Sequence, residues 1–234
     1  MIKYRGDLGH TISWSNLLLL YNTPMLTLAV QAGGESRRMG SDKGLVPFLG
    51  QALIQRVIER LAPLVDEVLV TTNRPDDYRF LNLPLFSDLE PGRGALGGLY
   101  TALQAASHPL VAVVACDMPF ASRDLFAYQC DMLLEQALDV VIPSSLEGFE
   151  PLHAVYRRET CLPAVQVAIQ QNTCKLISWF PQVKVLSVTP AQISKIDPHD
   201  NIFMNVNTPA DLQLAEEIAR HISSEGNQAD QGKS

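Results

Sequence analysis

The feature that most constrains the fold is a short apolar run that ends at a pair of glycines. Residues 26–30 read LTLAV, which is typical of a buried β-strand, and Gly33 and Gly34 follow shortly after. Glycine lets backbone N–H groups approach a polyanion without a Cβ in the way. The loop that continues from the pair carries three cations within reach of one anion, at Arg37, Arg38 and Lys43. The stretch therefore predicts a strand that feeds a phosphate-binding loop, and it indicates that the chain handles a nucleoside triphosphate.

The loop at residues 31–44 matches neither of the commoner glycine signatures. It contains no GxGxxG spacing, which argues against a dinucleotide-binding fingerprint at this point of the chain. It contains no GxxxxGK[ST] either, so the loop is not a P-loop. The alternative is an ordinary glycine-rich turn with solvated charges, and the ordered set of Gly, Arg and Lys makes that the less favoured interpretation.

Length and charge set the broad class. The chain has 234 residues, which suits one α/β domain, and its hydrophobic fraction of 47% can fill a sizeable core. Its net charge of -7 opposes broad attraction to nucleic acid or to an anionic membrane, so we expect neither as a partner. A polyanionic substrate then needs a local cationic pocket, which the loop at 31–44 supplies.

The cysteines and histidines offer no recognisable metal module. No CxxC pair and no HExxH occurs in the chain. We therefore expect reduced, mostly buried thiols in a cytoplasmic protein. The four cysteines are Cys116, Cys130, Cys161 and Cys174.

Both ends of the chain differ from the rest. Residues 17–20 read LLLL, but this run is far too short to span a bilayer, and no basic segment with a cleavage site accompanies it. We expect residues 1–24 to be a flexible and dispensable extension, residues 25–222 to form the folded domain, and the polar residues 223–234 to be a disordered tail.

Between the ends, apolar strand runs alternate with helical patterns, which predicts βαβ units and a mainly parallel sheet. The expected strands lie at 26–30, 68–72, 84–86, 111–115, 139–143, 153–156 and 203–205. The expected helices include one over 53–61, one near 99–106, one capped by Ser122 and running to 134, one near 159–168, and one that begins after Thr208. Gly92, Gly94, Gly97 and Gly98 are expected to form a flexible loop before the second of these helices.

Ligands of open α/β sheets gather at the carboxyl ends of the strands. Polar clusters follow four of the predicted strands, at 31–43, 73–74, 88–98 and 117. The topology therefore points to the same site as the glycine loop does. The loop spacing GGxSxRMGxDK also resembles the signature loop of nucleotidyltransferases, whose chemistry rests on charge neutralisation, a divalent metal and positioning.

Lys43 is the expected partner of the α- and β-phosphates, and Arg37 of the β- and γ-phosphates through its planar fork. Arg38 is a weaker candidate, because adjacent side chains diverge. Asp117 ends the apolar run VAVVAC, where a carboxylate is costly unless it is paired or bound to a metal. Mg²⁺ binds one or two carboxylates plus phosphate oxygens, so Asp117 is the expected metal ligand. The alternative role for Asp117 is that of a helix N-cap.

Two further sets of polar residues leave their roles open. Asn205 and Asn207 are two residues apart, which puts both amides on one side of an extended segment, where either could complete a metal shell or hold a phosphate. Turn chemistry before a helix explains the pair equally well. Asp88 could contact the nucleoside, or it could be a solvated loop acid.

Five ordered segments carry a closer resemblance. They read QAGGESRRMGSDKG, TTNRPDDY, FSDLEPGRGALGGLYTAL, VVACDMPF and FMNVNTPADL. Over roughly residues 26–220 the chain resembles the molybdenum cofactor guanylyltransferases. The resemblance implies a single Rossmann-like nucleotidyltransferase domain, with a mostly parallel central sheet and helices on both faces.

By the same resemblance, the enzyme transfers GMP from Mg-GTP to molybdenum-bearing molybdopterin and releases pyrophosphate. Gln31, Ala32 and Gly33 would cradle GTP through backbone groups, Lys43 would bind its phosphates, Thr71, Asn73 and Asp88 would lie at the nucleoside, Asp117 would bind GTP and Mg²⁺, and Asn205 and Asn207 would face the reacting phosphates or the pterin. Molybdoenzymes and other proteins of cofactor biosynthesis would be transient partners.

The chain departs from the family at two of these positions, and two other activities remain open. The family usually has Leu in place of Gln31, and some relatives carry Asn in place of Thr71. A cytidylyltransferase, or another transferase with a related phosphorylated acceptor, would use the same loop, because base choice depends on a few contacts. A non-catalytic nucleotide-binding partner in cofactor delivery is the other alternative.

Overall fold

The computed structural model describes residues 26–33, 42–197 and 201–231. The strands are β1 (Leu26–Gln31), β2 (Pro47–Phe48), β3 (Gln51–Ala52), β4 (Glu67–Thr71), β5 (Leu85–Phe86), β6 (Leu110–Ala115), β7 (Val140–Ser145), β8 (Gly148–Phe149), β9 (His153–Arg157) and β10 (Val185–Val188). The helices are α1 (Leu53–Leu61), α2 (Pro75–Tyr78), α3 (Ala95–Ala105), α4 (Arg123–Glu135), α5 (Arg158–Gln170), α6 (Pro190–Ile193) and α7 (Pro209–Gln231).

The main sheet has the strand order β10-β7-β9-β6-β1-β4-β5, with β8 paired to β7. β1 is parallel to β4 and β6, and β5 is parallel to β4. β9 runs antiparallel to both of its neighbours, β6 and β7. The expected mostly parallel sheet is therefore confirmed, with β9 and the two-residue β8 as the strands that run the other way.

Helices cover both faces of this sheet, and the central strands show why. Side chains alternate between the faces of a strand, so a strand that is buried on both sides must be apolar at every position. In β1, Leu28 and Val30 pack into a core shared with α1 and α4, whereas Ala29 belongs to a second core with α3 and α5. The β6 sequence LVAVVA repeats the arrangement and is buried throughout.

Two helix starts follow the caps expected from the sequence. The Ser122 hydroxyl accepts a hydrogen bond from the Leu125 N–H at 3.2 Å, at the start of α4. At the start of α7, Thr208 and Asp211 each bond the other's backbone N–H through their side chains, at 3.2 and 2.8 Å. These reciprocal bonds satisfy N–H groups that a helix terminus leaves without partners.

Two predicted elements were wrong. No strand occupies residues 203–205; the Asn205 amide donates to the Phe203 carbonyl at 3.1 Å, and the Met204 N–H bonds the Asn201 carbonyl in a turn. The second helix begins at Ala95 rather than near 99, because Gly97 and Gly98 belong to it and not to a loop.

The ends of the domain are only partly described. α7 continues to Gln231, so the backbone is helical over most of the stretch expected to be a loose tail. The predicted extension 1–24 lies outside the described residues.

All four cysteines are free, and Cys174 alone among them is exposed. Within the described ranges, no helix combines the length and the apolar character that crossing a membrane requires.

Candidate active site

The carboxyl ends of β1, β4 and β6 open onto a cavity of about 330 Å³. Every predicted site residue in the described part of the chain lines this cavity. They are Gln31, Ala32, Gly33, Lys43, Thr71, Asn73, Asp88, Asp117, Asn205 and Asn207. Arg37 and Arg38 lie outside the described residues, so their predicted contacts stay predictions.

Lys43, Asp117 and Asn207 meet at one side of the cavity. The Lys43 Nζ donates to the Asp117 Oδ2 at 2.9 Å and to the Asn207 Oδ1. Asp117 lies two residues beyond the end of β6 and is 8% exposed, so the lysine supplies a counter-charge where water is scarce. The Val206 N–H bonds the Asp117 carbonyl at 2.9 Å, which brings Asn207 to the same point.

Asp117 does not act as a helix cap. No helix begins in the residues directly after it, and α4 is capped by Ser122 instead. The carboxylate faces the cavity and Lys43, which leaves ligand or metal binding as the role that its position supports.

Asn73 and Asp88 join the ends of β4 and β5 at another side of the cavity. The Asn73 amide donates to the Asp88 Oδ2 at 2.8 Å, and the Asp88 N–H donates to the Asn73 Oδ1 at 3.0 Å. This reciprocal pair links Asp88 to the end of β4, although Asp88 stays partly exposed in its loop. The pair leaves one carboxylate oxygen, Oδ1, outside these bonds.

The backbone groups of Gln31 and Ala32 are already used within the sheet. The Gln31 carbonyl accepts from the Cys116 N–H at 3.1 Å, and the Ala32 N–H donates to the Thr71 carbonyl at 2.8 Å. The Gln31 side chain lies against α3, where a Cβ added to Gly98 would come within 2.8 Å of its Oε1. Its Nε2 is buried and has no hydrogen-bond partner in the described structure.

The sequence interpretation missed two features of this site. Residues 92–97 read GRGALG, a GxGxxG spacing that leads into α3, and Gly94, Ala95 and Gly98 line the cavity. The strand before it, β5, is a two-residue strand at the edge of the sheet. The second feature is a buried hydrogen bond between Asp42 and Tyr78, which lie in the separate segments SDKG and TTNRPDDY.

The oxygen donors at Asp117 are of the kind that Mg²⁺ accepts. No group of three or more His, Cys, Asp or Glu that could hold a metal was found in the ranges the structure describes. Mg²⁺ needs only one or two carboxylates, because substrate phosphates and water complete its shell. Asp117 would supply the carboxylate, and Asn205 and Asn207 also line the cavity.

Comparison with known proteins agrees with this geometry. Residues 28–183 match the family model of the MobA-like NTP transferase domain. A protein of Carboxydothermus hydrogenoformans named as a probable molybdenum cofactor guanylyltransferase is 35% identical over 80% of this chain and 93% of its own length. The molybdenum cofactor guanylyltransferase of Shewanella frigidimarina is 33% identical, over 84% of this chain and 99% of its own.

Solved structures give the same result. Molybdopterin-guanine dinucleotide biosynthesis protein A from Archaeoglobus fulgidus superposes with a TM-score of 0.73 at 28% identity, over 83% of this chain and 99% of that chain. A 4-diphosphocytidyl-2C-methyl-D-erythritol synthase from Anaerococcus prevotii, at 13% identity and a TM-score of 0.63, shares the fold. The chain is a nucleotidyltransferase, and it belongs to the molybdenum cofactor guanylyltransferase family.

Proposed function

We propose that the protein transfers GMP from GTP to the terminal phosphate of molybdenum-bearing molybdopterin, which yields the guanine dinucleotide form of the cofactor and pyrophosphate. The observation that carries the proposal is the meeting of Lys43, Asp117 and Asn207 in one cavity at the carboxyl ends of the strands. The names of the relatives supply the base and the acceptor.

In the proposed reaction, an acceptor phosphate oxygen attacks the α-phosphorus of GTP, and the bond between the α- and β-phosphates breaks. The leaving pyrophosphate carries away the electron pair of that bond. No side-chain nucleophile is needed, so the protein contributes charge and position. Lys43 exchanges Asp117 for the phosphates of the nucleotide, and this exchange releases the Asp117 carboxylate.

Mg²⁺, when bound, withdraws charge from the reacting phosphates and orients them for in-line displacement. Asp117 would hold the ion, and the amide oxygens of Asn205 and Asn207 are the further candidates beside it. The Lys43 Nζ and the Asp117 Oδ2 lie 2.9 Å apart, so the cation proposed for the phosphates and the carboxylate proposed for the ion are side by side in the cavity.

The acceptor requires a second space beside the nucleotide, and a larger groove adjoins the cavity at Asn205. The groove encloses about 770 Å³ and lies between the β7–β8 hairpin, α6 and α7. Its walls include Ile193, Phe203, Met204 and Leu214, which suit the flat face of a pterin. Asn205 borders both spaces, so it is placed where the two substrates would meet.

Pyrophosphate release tests the proposal when the protein is mixed with molybdenum-loaded molybdopterin, Mg²⁺ and each of GTP, CTP, ATP and UTP. Of the four nucleotides, we expect only GTP to give pyrophosphate release, together with a guanine dinucleotide product by mass spectrometry. A preference for CTP would overturn the base assignment. No release with any nucleotide would favour the non-catalytic alternative.

Asp117→Ala should abolish turnover, and removal of divalent metal with a chelator should do the same until Mg²⁺ is restored. Asp124→Ala is the matched control, because Asp124 is an exposed carboxylate at the start of α4, away from the cavity. Full activity of Asp117→Ala would remove that residue from the proposed metal site.

The free thiols favour a reducing compartment, and we place the reaction in the cytoplasm on that ground. Transient contact with a molybdoenzyme or another protein of cofactor biosynthesis would complete delivery. Co-purification of the protein with a molybdoenzyme during turnover would test that contact.

A further inference from the structure

Tyr78 is a buried side chain beside the phosphate end of the site. It ends α2, it is 0% exposed, and its hydroxyl donates to the Asp42 Oδ1 at 2.5 Å. Asp42 is itself only 7% exposed. Neither side chain is among those that line the nucleotide cavity, so neither is placed to touch the substrate.

The same Asp42 oxygen holds the backbone around Lys43. It accepts from the Gly44 N–H at 3.2 Å and so caps the short 3-10 helix Lys43–Leu45. The Asp42 carbonyl accepts from the Leu45 N–H at 3.1 Å. Lys43 therefore lies in a turn that Asp42 bonds through both its side chain and its main chain.

At Gly44, this turn packs directly against the Tyr78 side chain. A Cβ added at Gly44 would lie 2.6 Å from the Tyr78 hydroxyl oxygen and 3.2 Å from the Cys116 Sγ. A contact below 3 Å cannot be accommodated without movement, so only glycine fits there. Cys116 directly precedes Asp117, and the turn is thus held between α2 and the end of β6.

The geometry points to Tyr78 as a positioning residue that acts through Asp42 to hold Lys43 at the phosphate end of the cavity. The inference rests on the proposed nucleotide site. A hydrogen bond between a hydroxyl and a carboxylate is among the stronger ones, and burial shields it from competition by water. Burial, with Cys116 and Asp42 nearby, raises the pKa of Tyr78 far above its usual value, so its hydroxyl stays a donor.

A double-mutant cycle between Tyr78→Phe and Lys43→Ala tests this role, with GTP and guanosine affinities measured by calorimetry. Tyr78→Phe removes only the hydroxyl, and we expect the GTP affinity to fall about tenfold, as loss of a hydrogen bond to a charged group does. Guanosine affinity should not change, because guanosine has no phosphate for Lys43 to bind. In the Lys43→Ala background, Tyr78→Phe should cause no further loss.

Tyr156→Phe is the matched control. Tyr156 is also 0% exposed, and its hydroxyl donates to the Pro151 carbonyl at 2.7 Å, away from the Lys43 turn. We expect Tyr156→Phe to lower stability like Tyr78→Phe but to leave GTP affinity unchanged. If Tyr78→Phe does not fold, Asp42→Asn replaces it in the double-mutant cycle with Lys43→Ala.

Equal GTP affinities of the wild type and Tyr78→Phe would overturn the positioning role alone. An equal loss of GTP and guanosine affinity in Tyr78→Phe would also overturn it. The same holds if Tyr78→Phe still lowers GTP affinity tenfold in the Lys43→Ala background. Failure of the wild-type protein to bind GTP would overturn the proposed function, together with the inference that rests on it.

Discussion

Lys43 is bound to protein atoms in the structure, although it is proposed to serve the substrate. Its ammonium neutralises Asp117 at 2.9 Å. An unpaired carboxylate with so little exposure would be costly, so the lysine stabilises the Asp117 side of the cavity. In the proposed reaction, binding of a metal-nucleotide complex would give both groups new partners, so neither charge would be left unpaired.

Replacement of Lys43 by Met should lower kcat/KM for GTP by about 10²–10³-fold, the usual cost of removing a preorganised electrostatic group. Lys43→Arg should not restore the rate, because a planar guanidinium is not a compact ammonium. Steady-state kinetics at saturating acceptor would measure both. Lys184→Met, at an exposed lysine, is the control, and near-normal kinetics in Lys43→Met would contradict the role.

The sequence predicted the residues of the site better than their contacts. Lys43 and Asp117 could be identified because the loop spacing and the end of an apolar strand are local patterns. The hydrogen bond between Asp42 and Tyr78 joins two distant segments, and no local pattern indicates it. The roles expected for the backbone of Gln31 and Ala32 depend on hydrogen bonds that only the packed sheet reveals.

At the scale of an element, α3 shows why a glycine pair can belong to a helix. An added Cβ would come within 2.9 Å of the Glu90 carbonyl at Gly97, and within 2.8 Å of the Gln31 side chain at Gly98. The glycines therefore permit close approach to a loop and to a strand. The sequence suggested a flexible loop, because glycine alone does not distinguish a bend from a crowded contact.

Alanine substitutions at the two positions should have different consequences. Gly97→Ala meets a backbone carbonyl, so we expect a loss of about 1–3 kcal/mol in the free energy of unfolding. Gly98→Ala meets the end of a flexible side chain, so Gln31 should move into the cavity and weaken GTP binding with little loss of stability. Urea unfolding would measure the change in stability, and calorimetry would measure the change in GTP affinity. Equal changes in both quantities for the two variants would contradict the prediction.

The groove between the β7–β8 hairpin and α6 gives a prediction for the acceptor. Ala191→Trp should fill part of the groove, raise KM for molybdopterin and leave GTP affinity unchanged, because Ala191 lines the groove and not the nucleotide cavity. Val167→Trp, at a 38% exposed position on α5, is the matched control. An unchanged KM for the acceptor in Ala191→Trp would contradict its placement there.

At the scale of the whole molecule, His153 links stability to pH. It is fully buried in β9, its Nε2 accepts from the Ser122 N–H at 3.0 Å, and its ring stacks on Phe126. Burial lowers the pKa of His153 to about 3. The unfolded chain, with a histidine pKa near ~6.5, binds a proton more readily than the folded chain does.

The free energy of unfolding should therefore fall as the pH drops from about 6.5 towards 5, by up to ~1.4 kcal/mol per pH unit from this residue. His153→Gln should be less stable overall but should lose this dependence. His108→Gln, at a histidine that is only partly buried, should keep it. Urea unfolding between pH 5 and 7 would measure the slopes, and parallel slopes in the wild type and His153→Gln would contradict the prediction.

The antiparallel strand β9 separates two regions along the edge of the sheet at which the cavity and the groove lie. β1, β4, β5 and β6 support one of them, and β7 with its hairpin supports the other. The hairpin and α6 could therefore change during evolution to bind a different phosphorylated acceptor, while the nucleotide cavity stayed the same. Such modularity would let one ancestral scaffold diversify its products without reinventing its chemistry.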